Sequence, residues 1–316
     1  MNQRSKSIDI AKGITILWVV WMHMKMPSIL YASVQMPFFF FISGALWNNT
    51  NNFLSFIQKK SKSLLIPTIS FVILAYVLFS IKHEKFFTES SLLWKIDYSI
   101  KGSITWFLIV LFIFNIIEYY VEKFNLIKLE VIISVLLYPL GAYLYAKNYF
   151  SIIPIIPLAH ILVFWIYYTL GAYMGKKLIY QINIDNKRSK YFSIISCFVI
   201  LLVHIIPWNN KILSHISFYL YIFPYTLSYI YLLLYLCNKY KNVRLSKSLS
   251  YIGCNSIIIY LIHWPLWNYI LHDFSNKINC YFLYIIMIFL LILSIIIVNK
   301  YIPFIVGKST NKQSKI

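Results

Sequence analysis

Ten apolar runs separated by short polar connections make up most of this chain, at about 8–26, 29–47, 63–82, 104–122, 128–146, 157–175, 191–207, 216–237, 251–271 and 280–299. A helix that crosses the hydrocarbon core of a bilayer needs about 20 apolar residues, with about 17–25 tolerated. Every run reaches that length, although the second contains Pro37 and Gly44. The connections hold no soluble domain, internal repeat or low-complexity tail. The pattern predicts an all-α polytopic membrane protein of about ten transmembrane helices. It forms a single domain over 1–316, with a short polar tail at 309–316.

The polar positions sort by side. With the N-terminus placed in the cytoplasm and the sides alternating, the inner connections carry 21 of the chain's 29 lysines and arginines. The outer ones carry the remaining eight. Short cytoplasmic loops are enriched in Lys and Arg, so both termini are expected inside and the connection at 83–103 outside. Composition agrees: 60% of residues are hydrophobic, 12% are charged and mean hydropathy is +0.71. A soluble domain is nearer 45–50% apolar and about 25% charged. The net charge of +20 invites a nucleic-acid partner, but its sorting to one side is better explained by membrane topology. Arg4 and Lys6 before an apolar run resemble a signal peptide. Asp9, Lys12 and His23 interrupt that run, however, and no small-residue cleavage site follows closely. A retained first helix is therefore expected. The cysteines, Cys197, Cys237, Cys254 and Cys280, show neither C-x-x-C spacing nor clustering with histidine, so neither a metal site nor a disulfide framework is expected.

Ionisable residues inside the spans are expensive and so mark candidate chemistry. Lys12 and His23 are eleven residues apart, close to three turns at 3.6 residues per turn. They share one helix face, about 16 Å apart along the axis. Asp9 and Lys12, at i and i+3, can pair. This stripe carries charge at the cytoplasmic mouth and an imidazole well into the membrane. Spacing alone equally allows His23 to be a structural hydrogen-bonding residue. His23, His160, His204 and His263 fall at mid-depth or in the outer half of their spans, and His83, His215 and His272 near outer connections. Asn255, Ser256 and Tyr260 are expected to share a face of the ninth helix by i, i+4 spacing and to bond a neighbouring helix, with His263 deeper. Trp106 opens the fourth helix at the outer interface, where tryptophan is common. Glu118 and Glu122, near its inner end, are expected to pair with Lys123 or snorkel rather than do chemistry.

Several segments resemble, in order, the acyltransferase-3 family of membrane O-acyltransferases. Asp9-x-x-Lys12-Gly13 followed by His23 is similar to the family's opening helix. Met36-Pro37-Phe38-Phe39-Phe40-Phe41-Ile42-Ser43-Gly44 looks like its second. Phe56-x-x-Lys59-Lys60-x-Lys62-x-Leu64-x-x-Pro67 resembles its basic entry to the third, Thr105-Trp106-Phe107-Leu108 its Trp-Phe-Leu signature, and Gly253-x-Asn255-Ser256-x-x-x-Tyr260-Leu261-x-His263 its late motif. The likeness spans about residues 4–270 and is nearest the short, membrane-only members, including fucose-acetylase-like proteins.

The resemblance implies transfer of an acyl group, acetyl by expectation, from acyl-CoA to a carbohydrate hydroxyl at the cell envelope, in the cytoplasmic membrane of a bacterium. It implies His23 as the catalytic residue, a general base on the acceptor or a transient acyl carrier. Asp9, Trp106, Asn255, Ser256, Tyr260 and His263 would support it, and Lys12, Lys59, Lys60 and Lys62 would meet the phosphates of coenzyme A. Lys59 and Lys62 stand where the family has paired arginines. Lysine supplies point charge there but not a bidentate fork. Partners implied are acyl-CoA, a carbohydrate acceptor and membrane lipid. The competing class is a transporter or flippase for a glycan or lipid, which should show related halves with broken helices in matching positions.

Overall fold

The computed structural model describes residues 5–27, 34–48, 52–83, 105–146, 157–182, 186–205 and 215–308. Among these residues there are helices and turns and no strand. In chain order the helices are α1 (Lys6–His23), α2 (Gln35–Ala45), α3 (Phe53–Lys60), α4 (Ile66–His83), α5 (Trp106–Lys123), α6 (Ile127–Ala146), α7 (Leu158–Leu170) and α8 (Lys176–Gln181). They continue with α9 (Lys187–Ile205), α10 (His215–Lys239), α11 (Leu245–Cys254), α12 (Ser256–Pro265) and α13 (Cys280–Tyr301). A π-helical turn, Ser61–Leu65, joins α3 to α4, and another, Gly171–Gly175, joins α7 to α8. The connection at 84–103 and the tail at 309–316 lie outside the described residues, as do the side chains of His83 and His215.

Several helices are turned inside out relative to those of a soluble protein. On α6 the buried positions include Glu130, Ser134 and Tyr138, whereas Ile132, Leu136, Leu140 and Tyr143 are exposed. On α9 the buried residues include Ser189, Ser193 and Ser196, and Phe192, Ile195, Phe198 and Leu202 face outward. On α13 a stripe of Leu283, Met287, Leu291, Ile295 and Val298 packs inward, yet Phe282, Ile285, Phe289 and Ile296 on its other faces are exposed. Polar side chains inside and large apolar ones outside make a stable surface only where the solvent is lipid. The protein is therefore a polytopic helical membrane protein.

Among the described residues, Phe53–Leu78, Ile127–Tyr145, Leu158–Ile179 and Cys280–Tyr301 are each long and apolar enough to cross a membrane alone. A fifth candidate is the pair Leu245–Cys254 and Ser256–Phe274, bent by 75°. That bend corrects the expectation of one straight ninth helix with Asn255, Ser256 and Tyr260 on a single face. The chain breaks at Asn255, whose φ is −110° and ψ 19°.

In lipid, helices associate through close packing and polar contacts rather than through water expulsion, so small residues gather at crossings. α1 crosses α11 where Gly13 meets Gly253. A Cβ on Gly253 would overlap the carbonyl oxygen of Asp9, and one on Gly13 the carbonyl oxygen of Leu249. α2 crosses α7 in the same manner at Gly44 and Gly171. The first crossing fixes the stripe of α1 against the helix break at Asn255 and so positions the candidate site.

Candidate active site

α1 is held along its length before it presents His23. Trp18 packs edge-on against Tyr229 of α10 with ring centroids 5.3 Å apart. The Tyr284 hydroxyl of α13 donates to the Leu17 carbonyl at 3.1 Å, and the Trp21 indole packs against the Tyr284 ring at 4.9 Å. The Trp21 N–H reaches forward to the Pro27 carbonyl at 2.8 Å. The chain leaves the helix through Lys25, whose φ of 55° is rare outside glycine. These contacts fix the last turn, where His23 stands exposed.

The ring of His23 lies 5.1 Å, centroid to centroid, from that of His263 on α12. His263 is fully buried, and its Nδ1 lies 2.9 Å from the Ile259 carbonyl one turn back. That bond requires hydrogen on Nδ1 and leaves Nε2 as a lone-pair acceptor. Nε2 is buried and has no protein partner. The structure thus joins two histidines 240 positions apart in sequence, one reachable and one sealed with an acceptor nitrogen.

One turn before His263, Tyr260 packs its ring 5.3 Å from Phe107 and 6.2 Å from His263, and its hydroxyl meets the Phe107 backbone. Tyr260 and Ser256 line a cavity of about 110 Å³ with Lys12 and Ile16 of α1, Phe39 and Ser43 of α2, and Phe107, Leu108 and Leu111 of α5. Pockets for drug-sized ligands run to about 300–1,000 Å³, so this space suits a slender group. The predicted stripe on α1 is thereby matched by a second stripe on α12, with Lys12 opposite Ser256 and Tyr260, and His23 opposite His263.

Other candidates stand elsewhere. Asn255 faces away from the cavity: its Oδ1 accepts from Asn299 at 2.9 Å and from the Lys308 ammonium at 3.2 Å, and Lys308 also donates to Asn299 at 2.6 Å. The segment carrying Lys308 passes through Gly307, whose φ of +72° suits glycine and whose Cα lies against the Lys62 carbonyl. This strap ties the basic entry of α4 to the break beside α1. Sequence reasoning missed Asn299 and Lys308, which show no signal beyond the positive φ that Gly307 allows. Lys59 and Lys62 are exposed on the α3–π turn, whereas the Lys60 ammonium sits 5.2 Å over the Trp47 ring and 5.7 Å from Phe56. Trp106 stacks on His160 at 4.1 Å and on Phe164 at 5.3 Å, and Tyr145 packs against the same imidazole at 5.2 Å. The Nδ1 of His204 bonds the Ile200 carbonyl at 2.8 Å. Asp9 is buried beneath the Gly253 crossing. Glu118 is neither exposed nor snorkelling: it is 1% exposed and packed against Glu130, while Glu122 accepts the indole N–H of Trp47. Among the described residues, no group of three or more His, Cys, Asp or Glu is arranged to hold a metal ion.

The family model for an acyltransferase domain matches residues 5–299, all but the ends of this chain. The chain belongs to the acyltransferase-3 family. It is therefore a membrane acyltransferase, and an acyltransferase of this family has both an acyl donor and an acceptor to bring together. No curated protein and no solved structure shows significant similarity to it. Within the acyltransferase, the paired stripes of α1 and α12 are the place where a basic residue, a narrow cavity and an accessible imidazole converge.

Proposed function

We propose that this acyltransferase moves an acetyl group from cytoplasmic acetyl-CoA to a hydroxyl of a surface polysaccharide, or of its lipid-linked or exported sugar precursor, in a bacterial cytoplasmic membrane. The observation that carries the proposal is the placement of His23 against His263, beyond a narrow cavity that begins at Lys12. About ten membrane crossings with both termini in the cytoplasm would set Lys12 and the α3–π turn on the side where coenzyme A is found. Lys12, Lys59 and Lys62 suit its phosphates as point charges. Lys60, turned over Trp47, would add field rather than a direct contact. The pantetheine arm would run along α1 past Ser256 and Tyr260, and the sugar would approach from the outer side.

In the chemical step His23 takes the hydroxyl proton as the acceptor oxygen attacks the acyl carbonyl, and the coenzyme leaves as thiolate to be protonated in turn. Imidazole is suited to this because its proton exchanges near neutrality. The Nε2 of His263, an unpartnered acceptor on the neighbouring ring, would receive a hydrogen bond from the imidazolium so formed. A transient acyl-imidazole on His23 is the variant of this route; rapid acid quench with labelled acetyl-CoA, with label retained on wild type and absent from His23→Ala, distinguishes the two. Mass spectrometry of the surface glycan with and without the protein tests the proposal as a whole. Loss of one acetyl mass on deletion is expected, and an unchanged glycan overturns it. Labelling of intact cells with an impermeant thiol reagent tests the orientation: a cysteine at position 90 should react and one at position 312 should not. The transporter alternative would need a second broken helix matched to the break at Asn255.

A further inference from the structure

A second group of ionisable side chains lies apart from this site, two turns along α5 from Leu111. Glu118 of α5 and Glu130 of α6 are 1% and 3% exposed, and their carboxyl groups are in hydrogen-bond contact with each other. The Trp165 indole N–H of α7 donates to Glu130 Oε1 at 2.7 Å. The Oε2 atom of each glutamate has no partner. Tyr168, one turn beyond Trp165, is fully buried within the field of both carboxyls, and its hydroxyl too has no partner. Two other buried hydroxyls of α6 and α7 are committed elsewhere: Ser134 bonds the Val131 carbonyl, Thr169 the Ile166 carbonyl, and the two meet each other at 3.0 Å. The other charged groups facing the pair are Glu122, which receives the Trp47 indole, and Lys176, which is exposed at the start of α8.

Donor bookkeeping then decides the state of the pair. An ionised carboxylate only accepts, so two of them cannot hydrogen-bond to one another. Two like charges in contact, out of water and without a buried cation, cannot both persist. One hydrogen must lie between them. The Trp165 N–H is a donor aimed at Glu130 and stabilises that member as the anion, which leaves the hydrogen on Glu118. The Tyr168 phenol lies in the field of both carboxyls and is the remaining donor on this seam. A metal ion fits less well. Two free carboxyl oxygens and one phenol oxygen fall short of the six to eight oxygens that calcium takes, or of the near-octahedral set that magnesium demands.

We propose that Glu118 and Glu130 form a one-proton site, a carboxylic acid on Glu118 hydrogen-bonded to a carboxylate on Glu130, with Trp165 donating to Glu130 and the Tyr168 phenol beside the pair, which pins α5 to the α6–α7 hairpin. The proposal is independent of the acceptor, the donor and the role of His23. It is tested by infrared spectroscopy of the full-length protein in lipid nanodiscs at neutral pH. The wild type should show the carbonyl stretch of a protonated carboxylic acid, sensitive to deuteration. Glu118→Gln should lose that band while folding to the wild-type amount, because the amide N–H replaces the acid O–H as donor to Glu130. Glu130→Gln should shift or abolish it. Tyr168→Phe should keep the band at a changed frequency. A wild-type spectrum in which no protonated-acid band depends on Glu118 overturns the proposal. So does a thermal midpoint that rises with sodium chloride but not with choline chloride in wild type and not in Glu118→Gln, since the occupant would then be a sodium ion.

Discussion

His23–His263 and Glu118–Glu130 are both pairs of ionisable side chains inside a lipid-facing bundle, and they are closed in different ways. The acidic pair is sealed on every side: both members are buried, they contact each other, and an indole donates to one of them. The histidine pair is sealed on one side only: His263 is fully buried with its Nδ1 committed to Ile259, while His23 remains exposed. A buried polar group whose neighbours are all buried can only fix structure, whereas one that faces an accessible neighbour is available for chemistry. Burial of one member therefore does not single out the candidate reactive pair; access to the other member does.

The largest expected effect separates the two directly. Replacing His23 by Ala should lower acyl transfer by a factor of about 10²–10⁴ if it acts as general base, with the folded amount unchanged, as measured by product formation beside size-exclusion profiles. His23→Asn should be equally inactive, because the amide cannot exchange a proton at neutral pH. A well-folded His23→Ala protein with normal activity would erase the distinction between the pairs.

The acidic pair should respond in the opposite sense. Glu130→Ala leaves Glu118 and the Trp165 N–H unanswered and should cost about 3–5 kcal/mol of stability, the usual penalty for removing one member of a buried pair. Whatever protein remains folded should retain its activity per molecule. Thermal unfolding in detergent, with specific activity normalised to folded protein, checks both halves.

His263→Ala sharpens the comparison from within the histidine pair. If the sealed histidine stabilises the imidazolium of His23, its loss removes one charge-assisted hydrogen bond, about 1.5–3 kcal/mol. Turnover should then fall by roughly tenfold to somewhat over a hundredfold, with little change in donor affinity. An equal rise in the KM for the donor would place His263 in binding instead.

The smallest effect belongs to the exposed cations. Lys59→Ala and Lys62→Ala should each weaken acetyl-CoA binding by about 0.2–1 kcal/mol, as for exposed charge pairs, and the difference should shrink at high salt as screening increases. Unchanged affinity in a purified binding assay would leave these lysines with a topological role alone.

Much of this was legible in the chain because the two signals used are local. Hydrophobic run length needs only neighbouring residues, and each predicted run that falls on described residues coincides with helix. The ninth run is the exception in shape. Its break at Asn255 is met by Asn299 of α13 and Lys308 of the strap, both more than forty residues downstream. The Lys12–His23 stripe was legible because helical period is a local property, but its counterpart, Ser256, Tyr260 and His263, is joined to it only by the Gly13–Gly253 crossing. Glu118 looked like an interfacial residue because nothing near it in sequence announces Glu130 or Trp165.

The sequence by itself determined that the protein is helical, that it lives in lipid and that it belongs to an acyltransferase family. Run length, composition and ordered motifs survive without knowledge of which helices touch. Only the tertiary structure decided which histidine faces which, where the cavity lies and which acids share a seam. Those are contacts between residues distant in the chain, set by backbone approach at glycines and by the matching of donors to acceptors, and neither is written in any local pattern.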